Sequence, residues 1–223
     1  MSGTLFVVAT PIGNLEDITL RALRVLKEVD VIACEDTRRT RALLAHFDIH
    51  TPTVSYFEHN KLVRGPQLLR QLAEGRSVAL VTDAGTPGIS DPGFMLVRDA
   101  RAAGVAVVPV PGPAAVTAVL SAAGIPADRF VFDGFLPIKH GRRVNRLTAL
   151  RELETTIVLY ESPHRILATL EAIATVFGAR EIVVAREVTK QFEEIVRAPA
   201  ATHRDRLAAA GVRGEFTLVI PAA

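Results

Sequence analysis

The chain has 223 residues, 49% of them hydrophobic, with a formal charge of +2 and a pI near 9.0. That length allows one large domain or two ordinary ones, and the apolar content suits a packed core rather than disorder. No apolar run reaches the roughly 20 residues of a membrane helix, and the single cysteine, Cys34, excludes an internal disulfide, so the expectation is a soluble protein of a reducing cytoplasm.

The chain enters an apolar strand, Leu5–Ala9, with no basic start or small-residue cleavage site, so no targeting peptide is expected. Asp17–Lys27 then places Ile18, Leu20, Leu23 and Leu26 at near-helical spacing. Val31–Cys34 reads as a second strand, Thr40–Phe47 as a short helix and Val54–Tyr56 as a third strand. A helix follows over Leu62–Ala73, with Gly65-Pro66 expected to delay its start. Val78–Thr82 is a fourth strand; Phe94–Ala103 is a helix closed by Gly104, and Val105–Val110 is a fifth strand. Such alternation predicts a mainly parallel sheet with helices on both faces.

Pro111-Gly112-Pro113 is the stiffest punctuation in the chain and places the domain junction, giving an N-terminal domain over 1–111 and a C-terminal one over 112–223. A small-residue helix, Ala114–Ala123, follows. The second half reads as strand Phe130–Phe132, helix Arg142–Glu152, strand Thr156–Tyr160, helix Arg165–Phe177 and strand Ile182–Ala185. It ends with a hairpin arm near Phe192–Val196, a helix near His203–Ala209 and strand Phe216–Ile220. The fold class is therefore α/β, in two domains, with a cleft between them as the natural ligand site.

The unusual segments all follow strands. Thr10-Pro11-Ile12-Gly13-Asn14 is a tight turn that an ordinary loop also explains. Glu35-Asp36-Thr37-Arg38 is either a binding edge or a helix start whose acids suit the dipole. Asp83 through Gly93 packs three glycines, two prolines and two acids into eleven residues, more backbone control than a plain loop needs. It matches neither a dinucleotide fingerprint nor a P-loop. Tyr160-Glu161-Ser162-Pro163-His164-Arg165 and Arg186-Glu187-Val188-Thr189-Lys190 put charge at strand ends of the second half. The six histidines are scattered, and Cys34 lies in an apolar strand, so neither zinc nor nucleophilic catalysis is expected. Arginines cluster as Arg38, Arg39 and Arg41 and, with a lysine, as Lys139, Arg142, Arg143 and Arg146. On charge alone these are solvated helix faces, although local patches can hold phosphate on a nearly neutral chain.

Taken in order, these segments resemble the ribosomal RNA small subunit methyltransferase I family of the tetrapyrrole methylase superfamily, from about Leu5 to Ile220. The resemblance implies a homodimer that uses S-adenosylmethionine, bound between its two domains, to 2′-O-methylate a cytidine of 16S ribosomal RNA. It implies cofactor contacts at Pro11, Asp83, Ala84, Gly85, Ile89, Ala114, Ala115 and Glu161, and no metal. Candidate bases are Glu161, Asp36, Glu187 and a neutral Lys190. Combined with the charge pattern, it makes Arg38, Lys139, Arg142, Arg143 and Arg146 the candidate RNA contacts, with Arg142 and Arg146 on one helix face and Arg143 beside them. A precorrin-type C-methyltransferase of the same superfamily and a non-enzymatic RNA-binding module are the competing readings. Many members continue beyond the point matching Ala223 with a helical extension expected to help bind RNA.

Overall fold

Strand–helix alternation and the pairing of short apolar runs decide the architecture. A computed structural model describes residues 3–90 and 93–222. The chain divides into two units, the first ending at Ala114 and the second beginning at Ala115, so Gly112 and Pro113 belong to the first.

The first unit runs β1 (Thr4–Val8), α1 (Leu20–Glu28), β2 (Val31–Cys34), α2 (Thr37–His46), β3 (Thr53–Ser55), α3 (Lys61–Ala73), β4 (Val78–Leu80), α4 (Gly93–Ala102) and β5 (Ala106–Val110). Its sheet has the order β3-β2-β4-β1-β5, and every pairing is parallel. Such a sheet must be covered on both faces. Ile32 and Cys34 of β2 pack with α1 and α2 through Ala22, Val25, Leu26 and Leu44. Val31 and Ala33, pointing the other way, pack with α3 and α4 through Leu68, Leu72, Leu96 and Ala100.

Caps move several helix ends from where periodicity placed them. Thr19 accepts the Ala22 amide, so α1 starts at Leu20, behind a 3-10 turn over Leu15–Asp17. Asp36 caps α2, which therefore starts at Thr37 rather than Thr40. Gly65-Pro66 does not delay α3, which begins at Lys61. Pro66 removes the bond to the Leu62 carbonyl, but Leu62 is exposed, so water can satisfy that group. Gly104 does close α4: at φ +71° it donates to Arg101 O while Val105 N donates to Ala100 O.

The second unit runs α5 (Ala115–Ala122), β6 (Phe130–Phe135), α6 (His140–Arg151), β7 (Thr156–Glu161), α7 (Ile166–Phe177), β8 (Glu181–Arg186), β9 (Glu194–Pro199), α8 (Ala200–Ala210) and β10 (Phe216–Ile220). Its strand order is β6-β7-β10-β8-β9. Among the described residues of this sheet only β6 and β7 pair in parallel; β10 inserts antiparallel between β7 and β8, and β8–β9 is a hairpin. Helices α6, α7 and α8 cover one face and α5 the other. No helix among the described residues is long and apolar enough to cross a membrane.

Candidate functional site

Strand polarity decides which segments meet. In the first unit β2, β4, β1 and β5 are parallel neighbours. The loops holding Glu35–Arg38, Asp83–Ser90, Thr10–Asn14 and Pro111–Pro113 therefore leave along one edge. Adjacent strands β1 and β4 lead to helices on opposite faces. That divergence is the topological switch point at which open α/β sheets take ligands.

The two diverging loops are stitched together. Thr10 N donates to Gly85 O at 2.9 Å, Gly85 N returns a bond to Thr10 O at 3.0 Å, and the buried Thr10 hydroxyl donates to Thr82 O at 3.0 Å. Gly85 has φ +86°, and a Cβ there would stand 3.5 Å from Ile12 Cγ2 and 3.8 Å from Pro113 O. The Thr86 hydroxyl donates to the same Pro113 carbonyl at 3.2 Å. Pro11 and Pro87 are buried, while Ala84 and Ile89 are exposed. Ser90 adopts a left-handed φ of 66°. Asp91 and Pro92 of this motif lie outside the described residues.

Asp83 braces the neighbouring loop. One of its oxygens accepts the Asp36 amide at 3.0 Å, and the other lies 3.3 Å from Arg39. Asp36 caps α2 and meets Arg38 through both oxygens. The Arg38 side chain, then its backbone amide, hold the Asp36 carboxyl down to about 2. Burial pushes the Cys34 thiol up, which fits a packing residue rather than a nucleophile.

In the second unit the ends of β6, β7 and β8 and the start of β10 share one edge. Glu161, read from sequence as a loop residue, is the last residue of β7 and is buried. Its Oε1 accepts the Ser162 amide at 2.8 Å and lies 3.3 Å from Arg165 Nε. Its Oε2 accepts the Thr169 hydroxyl at 2.6 Å. Both oxygens are engaged within the fold, which argues against Glu161 as a base or a cofactor contact. Lys190 Nζ sits 2.9 Å from both Glu187 and Glu215. Burial works to lower its pKa, but the two carboxylates outweigh burial and raise it. That direction favours the ammonium form of Lys190 over a neutral amine. Burial works to raise the Glu187 pKa, but Lys190 and the Glu215 amide prevail and lower it.

Two features of this edge carry no sequence signal. Glu187 and Thr189 are left-handed, at φ 50° and 67°, and Arg186 Nε and Thr189 Oγ1 are buried without a hydrogen-bond partner among the described residues. Left-handed non-glycine residues carry a conformational cost that the surrounding fold offsets.

The basic cluster of α6 divides. Arg143 is 4% exposed and donates to Pro137 O at 3.2 Å and Ile138 O at 2.8 Å, so it points inward and leaves the RNA-contact set. Arg146 is paired with Asp133. Lys139 and Arg142 are exposed, as is Arg38 of the first unit. No group of metal-ligating side chains occurs among the described residues.

Two α/β units, a parallel switch-point sheet followed by a mixed one, define the tetrapyrrole-methylase type of fold. The solved structure of a diphthine synthase matches with a TM-score of 0.76 at 18% identity, over 98% of this chain and 90% of that one. A uroporphyrin-III C-methyltransferase from Thermus thermophilus, complexed with S-adenyl homocysteine, matches with a TM-score of 0.67 at 20% identity, over 97% of each chain. Residues 4–203 match the model of the Tetrapyrrole (Corrin/Porphyrin) Methylases, and the chain belongs to that family. Within it the chain falls in the ribosomal RNA small subunit methyltransferase I group: the Pseudomonas aeruginosa member is 52% identical over 222 residues, spanning 98% of this chain and 79% of that protein.

Proposed function

We propose that this chain transfers a methyl group from S-adenosylmethionine to the 2′-hydroxyl of a cytidine in 16S ribosomal RNA of the small subunit. Within a methylase family, the observation that carries the reading is the Thr10–Gly85 stitch at the switch point. It presents main chain where a side chain would fill the space between Ile12 and Pro113, a cradle that fits a compact ligand held through backbone groups.

In that cradle Pro11, Ala84, Gly85 and Ile89 hold the cofactor, with Asp83 bracing the loop and Ala114 and Ala115, next in the chain after Pro113, adding contacts. When bound, S-adenosylmethionine supplies an already activated methyl group. The contribution of the chain is then to align the ribose oxygen and exclude water. Of the four candidate bases, Glu161 is engaged within the fold, and Lys190 is favoured as its ammonium. Asp36 and Glu187 are stabilised as carboxylates and so are weakened as bases. Alignment rather than a tuned base is what these residues support. Arg38, Lys139 and Arg142 offer exposed cations for ribosomal RNA phosphates. As the family resemblance implies, the protein acts as a homodimer in the cytoplasm.

The test supplies radiolabelled S-adenosylmethionine with 30S subunits or with a precorrin-type tetrapyrrole. The expected result is label in 16S ribosomal RNA, mapped by nuclease digestion and mass spectrometry to one 2′-O-methylcytidine. Label in the tetrapyrrole alone would make the chain a C-methyltransferase. Failure to bind the cofactor in calorimetry would leave it an RNA-binding module.

A further inference from the structure

The segment joining β6 to α6 is held by two guanidinium groups. Arg165 Nη2 donates to the Leu136 carbonyl, and Arg143 donates to the Pro137 carbonyl at 3.2 Å and the Ile138 carbonyl at 2.8 Å. Three successive carbonyls are thereby satisfied by side chains from two helical segments. Arg143 is 4% exposed and Leu136 2%, while Arg165 is itself anchored 3.3 Å from Glu161. This is a rigid loop, built with buried charge.

What the loop displays is apolar. Phe135 is 51% exposed and Ile138 77%. The Phe135 ring meets Tyr160 edge-on, with centroids 6.0 Å apart, and Tyr160 in turn meets Phe132 at 4.8 Å. The row fixes Phe135 from one side and leaves the remainder of its ring to solvent. Beside it Lys139, His140 and Arg142 are exposed, and Lys139 and Arg142 have no acidic partner among the described residues. Arg146, one turn on, is neutralised by Asp133. A fixed aromatic ring flanked by unpaired cations matches the chemistry of single-stranded nucleic acid, whose bases stack on the ring while its phosphates meet the cations.

We propose that Phe135 is a stacking platform for an unpaired base of the ribosomal RNA substrate, with Ile138 beside it and Lys139 and Arg142 on the flanking phosphates. The proposal rests on the functional reading above and names how that substrate is gripped. The loop is held rigid so that the ring is presented without an ordering cost on binding.

The test compares full-length Phe135→Ala, Phe135→Leu and Phe135→Trp in methylation of 30S subunits, after thermal melts confirm that each folds. Phe135→Ala should raise KM for 30S subunits by roughly ten- to a hundredfold, the range that base–aromatic stacking spans, with kcat and cofactor Kd unchanged. Phe135→Trp should restore KM and Phe135→Leu should not. Changing Lys139 and Arg142 to Ala should instead flatten the salt dependence by about one unit of slope per phosphate contact. A Phe135→Leu variant matching the wild type would overturn the proposal, because any apolar group would then serve. A changed sedimentation coefficient in Phe135→Ala would overturn it too, making the face an interface between copies of the chain. If the wild type fails to methylate 30S subunits, the functional reading fails and this proposal falls with it. If the wild type is active and Phe135→Ala equals it, only the stacking role fails.

Discussion

Thr10 and Gly85 exchange both backbone hydrogen bonds, at 2.9 and 3.0 Å, an antiparallel bridge between two loops that leave a parallel sheet. The bridge fixes the spacing of loops bound for opposite faces, and Gly85 permits it by adopting φ +86°. A β-branched residue there takes a left-handed conformation at a cost of roughly 1–2 kcal/mol and drives methyl groups toward Ile12 and Pro113. Gly85→Val should keep its circular dichroism spectrum and melt a few degrees lower. Its S-adenosylmethionine affinity should fall by roughly 100-fold or more, about 2.7 kcal/mol. Wild-type affinity in calorimetry would remove this loop from the cofactor site.

Neighbouring arginines in α6 should give opposite phenotypes. Arg143→Ala strips two carbonyls of a charged donor inside the fold, and should cost about 2–4 kcal/mol in urea denaturation. Arg142 is exposed, so Arg142→Ala should change stability by less than about 0.5 kcal/mol. Its effect should appear instead in 30S binding, as a salt slope shallower by about one. If both variants fold equally well and weaken binding equally, the inward position of Arg143 is wrong.

That contrast shows where the sequence was legible. The apolar runs located all five strands of the first sheet to within two residues at each end, because a parallel sheet covered on both faces demands continuous apolar strands. The punctuated loops after β1, β2 and β4 were visible as motifs, and strand polarity then brought them to one edge. Periodicity missed the caps: Asp36 and Thr19 set helix starts through side-chain bonds that an apolar pattern does not encode. It also missed charge used inside. Arg143 and Glu161 look like surface chemistry in the sequence, yet each satisfies groups within the fold. The antiparallel insertion of β10 between β7 and β8 depends on long-range pairing, which local pattern leaves open. The left-handed Glu187 and Thr189 are equally silent, since neither is glycine.

Charge states at the two edges set a pH window. Asp36 and Glu187 have folded-state pKa values lowered from ordinary values of 3.8 and 4.5, so their stabilisation is present above those values and is lost as pH falls through the folded ones. Lys190 is raised from an ordinary 10.5, so its contribution is complete below that value and is lost as pH rises through the folded one. All three stay charged between roughly pH 6 and 9. Melting temperature should therefore show no step from them in that window, with falls below about pH 4 and above about pH 10. Lys190→Gln should lower the melting temperature across the neutral range and weaken the alkaline fall. A kcat profile that rises through an ionisation between pH 7 and 8 and loses that limb in Lys190→Gln would restore Lys190 as a base.

Glu161 offers the sharpest separation of structure from catalysis. Its side chain is fully buried against Arg165, Ser162 and Thr169, and Arg165 supports the Leu136 carbonyl below Phe135. Glu161→Ala leaves the Arg165 charge without its partner and should cost about 3–5 kcal/mol in denaturant unfolding. Glu161→Gln keeps an acceptor for Thr169 or Ser162 and should cost less. Neither variant should change kcat per folded molecule by more than about twofold, whereas removing a general base typically lowers it by roughly 10²–10⁴. Both should raise KM for 30S subunits, because the Leu136–Lys139 loop loses one of its two guanidinium supports. Cofactor affinity should stay at the wild-type value, since the first-unit cradle contains none of these groups. A folded Glu161→Gln protein with normal KM and kcat reduced a thousandfold would return Glu161 to the reacting atoms and end its assignment as the anchor of Arg165.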